Sequence, residues 1–170
     1  MVVYIQEIQH AIDFATEAHA GQVRKYTGED YITHPIAVME IVSGVPHNLE
    51  MLIASVLHDV VEDCDVSLEE VYQEFGDVVG EYVKYMTNIS KPEDGSRKKR
   101  KTLDALHVSS GSPEVHTIKV ADIYHNSGSI KKYDPEFWKT YKKEKTYLLG
   151  LLTNADKDLW MKTWKMVTED

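Results

Sequence analysis

Met51-Leu52-Ile53-Ala54-Ser55-Val56-Leu57-His58-Asp59-Val60-Val61-Glu62-Asp63 is the stretch on which the reading of this chain turns. Its first seven residues are almost wholly apolar and read as buried helix. The run then ends in four polar side chains. Glu62 lies four residues after His58 and Asp63 four after Asp59, so on a helix each pair stacks on one side. Ionisable groups at the rim of a core are costly unless they are paired or hold a metal. Adjacent His and Asp can both reach one ion, the imidazole as a neutral nitrogen ligand and the carboxylate as a charged oxygen ligand.

Working outward, nearly every periodic segment reads as helix. Tyr4, Ile8, Ala11, Ile12, Ala15 and Ala18 recur at three- and four-residue steps, and residues 21–33 form a polar loop. His34-Pro35 opens a second helix that runs to Gly44, and Asn48 suits the N-cap of the helix carrying His58. Ser67-Leu68-Glu69-Glu70 matches a capping box, with Gly76 at the helix end and a new segment from Asp77. Lys91-Pro92-Glu93-Asp94-Gly95 is a break, followed by a basic helix over residues 97–107. Ser112-Pro113-Glu114 starts the helix that leads to Asp122, and residues 127–132 read as irregular. Asp134-Pro135-Glu136 begins a long helix to about Leu152, and Asn154 caps the last one. With no strand, repeat or linker, the expectation is an all-α bundle of roughly eight to ten helices, one domain over residues 1–170.

Bulk composition narrows the function classes. A net charge of −9 argues against nonspecific nucleic-acid binding but is compatible with a local basic pocket for a small anion. Cys64 is the single cysteine, so no internal disulfide forms, consistent with a reducing compartment. No apolar run reaches membrane-spanning length, and the first ten residues lack a secretory pattern. These features lead to the expectation of a cytoplasmic protein without a membrane partner.

A His-Asp dipeptide alone reads equally well as a helix-end ion pair. Three further segments change the balance: Tyr31-Ile32-Thr33-His34-Pro35, the Glu62-Asp63 pair, and Lys119-Val120-Ala121-Asp122-Ile123-Tyr124-His125-Asn126. With Ala18-His19-Ala20-Gly21-Gln22-Val23-Arg24-Lys25 they resemble, in order and spacing, the HD-domain phosphohydrolases. More narrowly, they resemble the (p)ppGpp hydrolase domain of Rel/SpoT proteins and the stand-alone small alarmone hydrolases. The resemblance covers Ile12 to about Leu152.

That resemblance implies that His34, His58, Asp59 and Asp122 bind one divalent metal, with Mn²⁺ favoured and other divalent ions also suited to the donor set. It implies that Glu62 and Asp63 orient the attacking water and move its proton. It assigns Arg24, Lys25, Arg100, Lys101, Asn126 and Ser129 to a nucleotide substrate. The implied reaction releases pyrophosphate from the 3′-diphosphate of guanosine tetra- or pentaphosphate and leaves GDP or GTP. No synthesis is expected, because the resemblance stops before a synthetase domain. Two departures stand out: Ile123 replaces the usual Arg or Lys after the metal-binding Asp, and Gly128 stands where the family often has Arg. They motivate a rival substrate, such as NADPH losing its 2′-phosphate. A third reading is a nucleotide-sensing module without catalysis. His10, His47, His107 and His116 carry no partner pattern, and His19 and His125 read as supporting or packing residues.

Overall fold

The computed structural model describes residues 2–169, with side chains described from residue 4. Among the described residues are nine α-helical segments and one 3₁₀ turn, and the only strand-like feature is an isolated antiparallel bridge between Val23 and Asp30. The all-α expectation holds. The backbone groups into two compact units, Met1–Thr87 and Asn88–Asp170.

The first unit contains α1 (Val2–Ala18), α2 (Thr33–Ser43), α3 (Leu49–Leu57), α4 (Val60–Asp63) and α5 (Leu68–Met86). Its centre is α3, which packs against α1, α2 and α5. Met51, Ile53, Ala54, Val56 and Leu57 are all buried, as an apolar helix without a polar face requires. Each large side chain among them contributes about 1.5–3 kcal/mol by leaving water. The Asn48 side chain accepts from the Met51 amide at 2.8 Å, the cap expected from the sequence. Ser67 and Glu70 form the reciprocal capping box that opens α5. At Gly76 the backbone turns to φ 84°, ψ 172°, a left-handed excursion that suits glycine. The helix therefore kinks at the predicted break and resumes to Met86.

The second unit contains the 3₁₀ turn Pro92–Asp94, α6 (Arg97–Ser109), α7 (Pro113–Tyr133), α8 (Pro135–Leu151) and α9 (Lys157–Thr168). Here α7 is central and packs on α6, α8 and α9. Buried Asp104 anchors the start of the unit, accepting from the amides of Ile89 and Ser90 and from the Ser90 hydroxyl. Two expectations are corrected. Residues 127–132 continue α7 as helix. The Ser127 hydroxyl folds back onto the Ile123 carbonyl at 2.6 Å, and Ile130 is buried. A Cβ on Gly128 would meet Met166 Cε at 3.7 Å, an ordinary van der Waals contact. Packing outweighs the roughly 1 kcal/mol that a mid-helix glycine costs. The cap of α9 is Asp156, which accepts from the Leu159 amide at 2.9 Å, and not Asn154.

Candidate metal centre

The first unit brings His34, His58 and Asp59 together. His34 sits in the first turn of α2, His58 ends α3 and Asp59 precedes α4. One ligand atom from each lies within 4.8 Å of the others. His34 and His58 are 1% exposed and Asp59 18%. The tautomer of His58 is set by its surroundings. Nδ1 lies 2.7 Å from the Ser55 carbonyl, which can only accept, so Nδ1 carries the proton and donates. In the neutral ring Nε2 then offers a lone pair, and it faces Asp59 Oδ2 at 3.1 Å. His34 Nε2 lies 3.6 Å from the same oxygen. The His58 lone pair aimed at a carboxylate in a dry setting, with a second imidazole nitrogen beside it, calls for a cation. The two nitrogens and one oxygen fit a borderline divalent metal.

Tyr31 holds this group from outside. Its hydroxyl donates to Asp59 Oδ2 at 2.7 Å and lies 3.3 Å from Asp63 Oδ2. Asp63 is at the solvent edge of the group. Partial burial of its carboxyl, and then the charges of Asp59 and Glu62, push its pKa above the ordinary carboxylate value against the Tyr31 hydrogen bond. Glu62 is exposed one residue before it. The loop carrying Tyr31 is pinned by a small network. His19 Nδ1 lies 3.0 Å from Gln22 Oε1 and 3.1 Å from Cys64 Sγ, and Gln22 Nε2 donates to the Asp63 carbonyl at 2.9 Å. Of the two loop cations, Arg24 lies 5.7 Å over the Tyr31 ring, whereas Lys25 is turned to Tyr26.

In the second unit, Asp122 is buried on α7 with both oxygens engaged. Lys119 Nζ is 2.8 Å from Oδ2, and Asn126 Nδ2 donates to Oδ1 at 2.7 Å. Ser129 follows on α7 and donates to the Asn126 carbonyl at 3.1 Å. The Lys145 ammonium from α8 lies in the field of Lys119, Asp122 and Lys101. Burial first, and then Lys119, pull its pKa down to about 8. Lys101 Nζ is 3.7 Å from Asp104, and Arg100 buries its Nε without a hydrogen-bond partner among the described residues.

The HD domain profile matches residues 11–148. This chain belongs to the HD-domain family. A probable GTP pyrophosphokinase of Mycobacterium leprae is 37% identical over 130 residues, 76% of this chain and 16% of that protein. A guanosine-3′,5′-bis(diphosphate) 3′-pyrophosphohydrolase of Aquifex aeolicus is 33% identical over 141 residues, 83% of this chain and 20% of its own length. The HD-domain chain thus spans about a fifth or less of these curated relatives. Among solved structures, a metazoan ortholog of SpoT described as hydrolysing ppGpp superposes with a TM-score of 0.83 at 26% identity, covering 94% of this chain and 93% of the other.

Within this HD-domain chain, reading the sequence missed the part played by Tyr31. By sequence it only opens the His34 motif. The signal lay in its spacing, three residues before a buried histidine, and its hydroxyl is what touches both carboxylates. His19 acts as expected for a supporting residue: it braces the loop. His116, expected to be structural or exposed, is structural: it is 1% exposed and hydrogen-bonded to the Ser109 carbonyl in the α7 core.

Proposed function

We propose that the chain is a metal-dependent hydrolase that removes pyrophosphate from the 3′-diphosphate of guanosine tetra- or pentaphosphate. The observation that carries this reading is the convergence of His34, His58 and Asp59, with the His58 tautomer fixed so that Nε2 can ligate. His34, His58 and Asp59 hold the ion, and Asp122 is assigned to the same set by the sequence motif. Such a donor set accepts Mn²⁺, the ion we favour. A divalent ion held there would lower the pKa of its water and so supply a nucleophile near neutral pH.

The chain's own residues do the rest. Tyr31 steadies Asp59 and Asp63 through one hydroxyl. Asp63, with its pKa raised, is suited to take the proton from the attacking water and return one to the departing 3′-oxygen. Glu62 orients that water from the same helical turn. Arg24, Lys25, Arg100, Lys101, Asn126 and Ser129 are proposed to hold the nucleotide. Both units are taken to serve as one hydrolase domain, supported by a family profile that runs through residues 11–148. No helix of the described residues is long and apolar enough to cross a membrane, and we assign the protein to the cytoplasm.

The rival nucleotide substrate rested on Ile123 and Gly128. Ile123 is wholly buried and so is used for packing, and Gly128 lies within the helix beside Met166. Lys119, at 2.8 Å, and Lys145 supply positive charge beside Asp122 instead, which supports a polyphosphate substrate. The deciding experiment is a nucleotide panel assayed with Mn²⁺, Mg²⁺ and Zn²⁺. Wild type converts ppGpp to GDP and pyrophosphate with the highest kcat/KM of the panel, and Asp59→Ala loses at least about a hundredfold together with bound metal. Equal turnover by wild type and Asp59→Ala would sink the reading.

A further inference from the structure

We propose that the start of α7 is a binding site for one internal water molecule, held between Ser112 Oγ and His116 Nδ1. Among the described residues, four buried side-chain polar atoms lack a hydrogen-bond partner: His58 Nε2, Arg100 Nε, Ser112 Oγ and His116 Nδ1. The first two belong to the metal centre and the nucleotide set. The other two stand one helical turn apart, and neither takes part in the hydrolase chemistry.

Ser112 occupies the N-cap of a 21-residue helix, but its side chain makes no capping bond. Pro113 has no amide hydrogen to satisfy, and the His116 amide donates to the Ser112 carbonyl at 3.0 Å to begin the helical ladder. The amides of Glu114 and Val115 come before that bond, as donors that a capping side chain usually satisfies. Side chains on a helix lean toward its N-terminus, and those four apart have Cβ atoms about 5–6 Å from each other. His116 follows that rule, since its Nε2 lies 3.0 Å from the Ser109 carbonyl, ahead of the helix. The ring is therefore laid back over the first turn. With His116 only 1% exposed, Nδ1 is shut in at the helix entrance.

The chemistry selects the occupant. A carbonyl only accepts, so His116 Nε2 carries the proton and Nδ1 presents a lone pair. Burial favours that neutral ring by lowering its pKa. The lone pair repels an anion, which the helix dipole alone would attract. The same dipole and the amide hydrogens repel a metal cation. An apolar group would leave both polar atoms unpaired. Water meets every demand. It donates to Nδ1 and to Ser112 Oγ and accepts from a first-turn amide, about three bonds in all, the usual number for a buried water. The next polar group along is already engaged. Thr117 Oγ1 donates to the Pro113 carbonyl at 2.9 Å and accepts from the Asp156 amide at 2.9 Å. The water thus completes the polar seat of the helix that carries Asp122.

The proposal does not depend on the hydrolase reading, and its test uses the metal-free full chain. A crystal structure of the wild type, at a resolution that shows ordered water, is expected to place one water within about 3.2 Å of both Ser112 Oγ and His116 Nδ1. In solution, water-oxygen magnetic relaxation dispersion counts long-lived internal waters. Ser112→Ala/His116→Phe is expected to hold one fewer than wild type, with an unchanged circular dichroism spectrum. A direct hydrogen bond from Ser112 Oγ to His116 Nδ1, an ion at that position, or no density between the two atoms overturns the proposal. Equal water counts in wild type and a folded double variant overturn it as well. If the double variant does not fold, the wild-type density decides alone.

Discussion

The Tyr31 hydroxyl links Asp59, a ligand of the candidate metal centre, to Asp63, the proposed proton carrier. Residues that orient a ligand typically change metal affinity by ten- to a hundredfold when removed. Tyr31→Phe keeps the ring beside His19, 4.6 Å between centroids, and deletes only the hydrogen bonds. Its Mn²⁺ affinity should fall by about tenfold or more, while folding stability changes by about 1 kcal/mol. Parallel metal titration and urea denaturation check both halves, and unaltered metal affinity would show the hydroxyl to be incidental. At this scale the sequence was readable where chemistry and spacing coincide. His34, His58 and Asp59 were named from their motifs and do converge. Tyr31 was not given a role, because its spacing ahead of His34 places it near the site without fixing where its hydroxyl ends.

Among the helices, α5 depends on a glycine for a reason of packing. The kink at Gly76 lets the Tyr72 ring lie over the next turn, where a Cβ on Gly80 would stand 2.5–2.7 Å from three ring carbons. Gly80→Ala should therefore destabilise by about 1–3 kcal/mol, the usual cost of overpacking. Combining it with Tyr72→Ala should give less than the sum of the two single effects, since the clash is gone. Gly150→Ala on α8 is the contrast: nothing lies within 4 Å, and helix propensity predicts a gain of up to about 1 kcal/mol. Urea midpoints of the four variants decide, and additive losses for Gly80 and Tyr72 would contradict the proposed contact. The same balance explains which elements were legible. Asn48 and Ser67 signal their helices through local hydrogen bonds that sequence spacing encodes. The continuation of α7 through Gly128 goes with the burial of Ser127 and Ile130, tertiary packing that no local pattern announces.

Over the whole molecule, a net charge of −9 sums an acidic first half and a basic second half, and helix packing sets the basic run of α6 beside the lysines of α8. Stability against pH is likewise bounded by groups from both units. His116 is buried, with Nε2 3.0 Å from the Ser109 carbonyl, and burial lowers its pKa below the usual 6.5 against that hydrogen bond. The unfolded chain therefore takes this proton first as the solution is acidified. Its stabilising contribution is complete above about pH 6.5 and is lost as pH falls towards the folded value. Tyr72 works on the alkaline side. Its hydroxyl donates to Glu81 at 2.7 Å, and burial and then that bond push its pKa up to about 12. The folded chain keeps this proton while the unfolded chain releases it near pH 10, so stability declines from about pH 10 to 12. Urea midpoints measured at pH 5 to 7 should fall less steeply in His116→Gln than in wild type. Those measured from pH 10 to 12 should fall less steeply in Tyr72→Phe. Every other titration, that of Lys145 included, is shared by the chains compared and cancels. Curves that run parallel to wild type in both windows would mean that neither group sets a limb of the profile.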